Sequence, residues 1–140
     1  MIATLKILHY LAFSVGIGGG IANVLAGRIA GQAGPAVAAP IGRLQARIGL
    51  ASALALVVLW VTGLWLTVAL YPAVGALPTA FWVKIVAVLA LTATAAILQR
   101  NAFAARRTGR PPPPAQKWLG VLATGLAVVA VIFAAIAFTT

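Results

Sequence analysis

Residues 48–70 read IGLASALALVVLWVTGLWLTVAL, an apolar run without one charged side chain. Its length matches the ~20 residues an α-helix needs to cross a ~30 Å hydrocarbon layer. Three more stretches of this kind lie at Ile2–Gly27, Thr79–Leu98 and Trp118–Phe138. Hydrophobic residues make up 64% of the 140-residue chain, against roughly 45–50% in an average soluble protein. A globule of this size cannot hide that excess, because it must still cover a large surface. The sequence therefore predicts one all-α domain, a four-helix transmembrane bundle with spans at about 2–27, 48–70, 79–98 and 118–138. The first span is expected to be retained. Its apolar run outlasts the roughly 7–15 residues of a signal-peptide core, and its basic flank is only Lys6 plus the amino terminus.

The chain carries ten Lys and Arg and no Asp or Glu. In a soluble protein that surplus would suggest nucleic acid. Here the bases fall mostly between spans, where they act as orientation signals and contacts for anionic lipid. Arg28, Arg43 and Arg47 separate the first two spans, and Arg100, Arg106, Arg107, Arg110 and Lys117 the last two. The connection YPAVGALPTAF has no charge. These counts place the basic connections in the cytoplasm and both termini outside. The expected location is a bacterial inner membrane, multi-pass, with no nucleic-acid partner.

Without a carboxylate there is no general base of that type, no carboxylate proton relay and no acidic cation ligand. Proton pumps, divalent-cation transporters and glycosidase-type enzymes are therefore disfavoured. Without cysteine there is no thiol nucleophile, disulfide or thiolate metal site. The linker GQAGPAVAAPIG, with Pro35 and Pro40, reads as a loop with at most a short helical turn. Pro111–Pro114 form a run that favours stiff polyproline II and reads as a rigid spacer. Tryptophans fit membrane interfaces at Trp82 and Trp118.

In the first span His9, Phe13, Gly16, Gly20, Asn23 and Gly27 recur at steps of four and three, so they share one helical face. Gly16 and Gly20 form a G-x-x-x-G pair, which lets another helix or a flat ligand approach the backbone. Helix packing alone is the plainer reading of the glycines. Asn23 should point into the bundle, because an unpaired amide facing lipid is costly. His9 enters roughly 10 Å along the helix. It is either an interfacial imidazole bonded to a carbonyl or water, or an axial ligand to haem iron. Lys84 stands a few residues inside the third span, and the loop charges put it at the depth of His9. It either snorkels to the headgroups or holds an anion such as a lipid phosphate or a porphyrin propionate.

LKILHYLAFSVGIGGG resembles the first helix of the HemJ-type protoporphyrinogen oxidase and CopD-like group of small four-helix membrane proteins. RIGLASALALVVLWVTGLWL is similar to that group's second helix, and FWVKIVAVLAL, with its W-x-x-K, to the third. The resemblance implies b-type haem, with His9 and Lys84 as the functional pair. Oxidising a porphyrinogen needs hydrogen abstraction and an electron sink. The chain offers only His9, Lys84, Tyr10 and Tyr71 toward this, so redox chemistry would come from a bound cofactor.

The expected function is thus binding of haem b or a porphyrin through His9, which is also the metal ligand, with Lys84, Gly16, Gly20 and Asn23 around it. One histidine allows a five-coordinate haem, a His/Lys pair, or a haem shared between two copies in a homo-oligomer. The alternative is an accessory subunit of a larger respiratory or photosynthetic complex. Arg43, Arg47, Arg100, Arg106, Arg107 and Arg110 would then meet partner carboxylates or anionic lipid. A small exporter or channel is expected least, since few polar residues are expected to face inward. Small residues (Gly16, Gly20, Ala51, Ser52, Ala55, Gly63, Ala93, Ala96, Gly120 and Gly125) are expected at tight crossings.

Overall fold

The computed structural model describes residues 1–71, 77–110 and 112–139, with 138 and 139 by backbone alone. The described residues form four helices: α1 (Ile2–Gln32), α2 (Pro35–Leu70), α3 (Thr79–Thr108) and α4 (Ala115–Thr139). All four are long and apolar enough to cross a membrane, as expected of a multi-pass membrane protein. They run up and down. α1 packs against α2 and α4, α4 packs against α3, and α2 meets α3 only lightly.

The helices outrun the expected spans at the end that carries the arginines. Pro35 opens α2 at the first helical position, where a missing N–H costs nothing. The Gly34 carbonyl accepts the amides of Val37 and Ala38, which starts the first turn. Pro40 therefore sits inside α2. The expected loop shrinks to Ala33 and Gly34. α3 likewise continues through Arg100, Arg106 and Arg107 to a left-handed cap at Gly109, φ 66°. Glycine adopts that conformation without steric cost, and the arginines of the last turn complement the helix dipole. Arg28, Arg43, Arg47, Arg100, Arg106 and Arg107 thus stand on helices rather than in loops. Pro112–Pro114 stay outside the helices, as a spacer should. The uncharged connection between α2 and α3 falls largely outside the described residues, at 72–76, as does Pro111.

Side chains are sorted in the sense that lipid imposes. Leu50, Leu54, Val57, Val61 and Trp65 of α2 face outward and are exposed. The buried positions are mostly small: Ala12, Ala55, Ala87, Ala130 and Ala137, with Thr62 and Thr94. Leu77, Phe81 and Ala137 form a small cluster where α3 begins and α4 ends, with Tyr71 and Ile85 against it. Small residues cannot fill the space between four helices. Instead of a packed core the bundle has an open-sided cavity of about 1890 Å³ between its helices.

Candidate functional site

The first-span stripe faces this cavity as its periodicity predicts. His9, Phe13, Gly16, Gly20, Asn23 and Gly27 all line it. On α1 the lining runs from Lys6 to Gly31, about 37 Å at ~1.5 Å per residue, which exceeds the ~30 Å hydrocarbon layer. More polar groups line it than expected, among them Gln45, Ser52, Trp60, Gln99 and Thr124. They lie on α2, α3 and α4, where no stripe announces them.

His9 is fixed by a relay of two bonds. Its Nδ1 lies 2.7 Å from Thr62 Oγ1. Thr62 is 3% exposed, and its hydroxyl donates to the Val58 carbonyl one turn back, at 2.6 Å. A hydroxyl has one proton, and here the backbone takes it. The bond to His9 must therefore run from Nδ1–H to the Thr62 oxygen. Nδ1 is then the ring nitrogen that carries a proton; in the neutral ring this leaves Nε2 a lone pair, and Nε2 has no hydrogen bond among the described residues. Gly63 makes room for this ring, since a Cβ there would lie 3.3 Å from His9 Cε1. Sequence reasoning missed Thr62, because a threonine in a membrane helix usually bonds its own backbone and does nothing else.

The same device recurs between α2 and α3. Trp60 Nε1 donates to Thr92 Oγ1 at 2.9 Å, and Thr92 passes its own proton to the Val88 carbonyl at 2.7 Å.

Lys84 lines the cavity with His9. Its ammonium sits 5.7 Å from the centroid of the buried Phe81 ring, a cation–π distance.

The other expected site residues divide. Gly16 borders open space, with nothing within 4 Å of a Cβ built there. It is therefore no helix crossing. Gly20 is covered by the Thr124 hydroxyl of α4, 2.9 Å from such a Cβ. The tightest crossing falls instead on Gly19, where a Cβ would collide with the Ser52 hydroxyl. Gly120 and Gly125, expected at close crossings, also have nothing within 4 Å.

Asn23 lies fourteen residues beyond His9, about 21 Å along α1, and belongs to a different neighbourhood. There Gln45 Nε2 donates to the Asn23 carbonyl at 2.9 Å. Gln99 Nε2 reaches across to the Gly49 carbonyl at 2.7 Å. Gln116 ties α4 to the Leu98 carbonyl at 3.2 Å and accepts from Asn101 at 3.2 Å. A backbone carbonyl only accepts, so these glutamines present nitrogen to it and turn their oxygens away. This amide belt joins the helices by polar bonds. It leaves Asn23 Oδ1 and Ser52 Oγ buried with no partner among the described residues.

No family model, curated protein or solved structure matches this chain.

Proposed function

We propose that the chain is a small multi-pass membrane protein that binds b-type haem or a related porphyrin in the His9 end of its cavity. The observation that carries this reading is the His9–Thr62 bond: with the Thr62 proton on the Val58 carbonyl, Nδ1–H is the donor, and the neutral ring then offers Nε2 as a Lewis base. Histidines that ligate metals characteristically donate their other ring N–H in this way. The surrounding residues fit the group. Open space at Gly16 leaves room for a flat macrocycle. Lys84 brings a cation to the same end for a propionate. The resemblance of α1 to α3 to the HemJ-type group points the same way and makes porphyrinogen oxidation the first activity to assay.

Bound haem would supply a one-electron redox centre within the membrane. The chain's own part is narrower. Thr62 holds the imidazole in one tautomer, Lys84 offers charge to a carboxylate, and the exposed apolar faces keep the pocket inside lipid. In an accessory subunit the Thr62–His9 bond would only tie α1 to α2, as Trp60 to Thr92 ties α2 to α3.

Purified protein supplemented with haem should show a Soret band that His9→Ala abolishes. No band, or a spectrum unchanged by His9→Ala, overturns the reading.

A further inference from the structure

The cavity holds more than one ligand would use. Pockets for single small molecules are roughly 300–1,000 Å³, and this one is about 1890 Å³. A porphyrin at His9 leaves the half beside the amide belt unaccounted for. That half has its own chemistry. Arg28 and Lys117 line its rim. A Cβ on Gly31, one turn beyond Arg28, would lie 3.9 Å from Lys117 Nζ, so Lys117 reaches α1 within a turn of Arg28. With no Asp or Glu anywhere in the chain, no side chain can balance them.

A second space meets the first at this point. A groove of about 410 Å³ runs between α1 and α4, lined by Ile21, Leu25, Gly125 and Val128 among others. Val24, Arg28, Val121 and Thr124 line both the groove and the cavity. Arg28 therefore stands where two largely apolar spaces share a wall, with a second cation beside it. A molecule matching this arrangement has one anionic head and two apolar chains.

We propose that Arg28 and Lys117 form a binding site for an anionic two-chain phospholipid. Its phosphate is held between the two cations, one acyl chain enters the cavity, and the other lies in the α1–α4 groove. The site is separate from the haem reading and stands whether or not haem binds. It also differs from general attraction to an anionic surface, which all the exposed arginines share.

Trp118 follows Lys117, is 75% exposed and reports on this site. The protein is reconstituted in phosphatidylcholine vesicles containing dibrominated phosphatidylglycerol or, at the same mole fraction, dibrominated phosphatidylcholine. Fluorescence lost in Trp118→Phe isolates the reporter. Quenching should favour phosphatidylglycerol, and Arg28→Gln/Lys117→Gln should weaken that preference about thirtyfold, from ~1 kcal/mol per basic residue. Arg106→Gln/Arg107→Gln removes the same charge at the same end of the bundle and should leave the preference in place. Equal quenching by both lipids, or equal loss in the two double variants, overturns the proposal. Displacement by free glycerol 3-phosphate also overturns it, because the site would then read a phosphate and not a two-chain lipid.

Discussion

His9 on α1 and Thr62 on α2 are joined by a 2.7 Å hydrogen bond whose direction is set by a third group, the Val58 carbonyl that takes the threonine's proton. Thr62→Val keeps the shape and removes the acceptor. The imidazole then loses the partner that selects its tautomer. Haem affinity should fall about 10–100-fold, the usual cost of losing such a supporting partner, while Thr62→Ser stays close to the parent. Titration of purified protein with haem, followed at the Soret band, checks both. Equal affinity in Thr62→Val and the parent would show that the bond plays no part in ligation.

Gly19 and Ser52 make the tightest crossing of α1 on α2. Gly19→Ala should cost about 1–3 kcal/mol by overpacking, whereas Gly16→Ala, which meets nothing within 4 Å, should not suffer this penalty. Ser52→Ala removes the colliding oxygen, which is also a buried hydroxyl without a partner. It should be neutral or stabilising by itself, and should recover most of the Gly19→Ala loss. A double-mutant cycle from detergent unfolding measures the coupling. Additive effects would mean that the two residues do not touch.

The light contact between α2 and α3 is bridged by Trp60 to Thr92 and by Gln99 to the Gly49 carbonyl. Interhelical side-chain hydrogen bonds in membranes average ~0.6 kcal/mol and reach ~1.7. Trp60→Phe and Gln99→Leu should each destabilise the bundle by about that much. Positions 49 and 60 are about 16 Å apart along α2, so the two losses should add. Unfolding followed by circular dichroism gives both numbers.

The cysteine-free chain makes threading directly testable. With the arginines facing the cytoplasm, Ile2→Cys should react with an impermeant maleimide on intact cells. Thr108→Cys should react only after permeabilisation. Labelling of both from one side would rule out this orientation.

Helix number and the inward face of α1 were legible in the sequence because both are local. A charge-free run near twenty residues long has few stable forms in lipid other than a helix. A stripe at steps of three and four must share one side, and all six of its residues do line the cavity. The helix ends were less legible. Pro35 and Pro40 look like loop signals, yet the first tolerates a helix start and the second costs one backbone bond that the rest of the turn withstands. Gln45, Gln99 and Gln116 flank apolar runs as isolated amides, and nothing in their spacing shows that they meet carbonyls on neighbouring helices.

By itself the sequence determined the four apolar helices, the absence of acidic side chains, and the candidacy of His9 and Lys84. Composition and periodicity are properties of one segment at a time. Only the tertiary structure decided which ring nitrogen of His9 is held by a partner, because Thr62 is 53 residues away in the chain. It also decided that Gly19 rather than Gly16 carries the helix crossing, and that Asn23 belongs with the amide belt and not with His9. Each of these depends on the rotation of one helix against its neighbour, and a rotation of one residue, about 100°, would have reversed them.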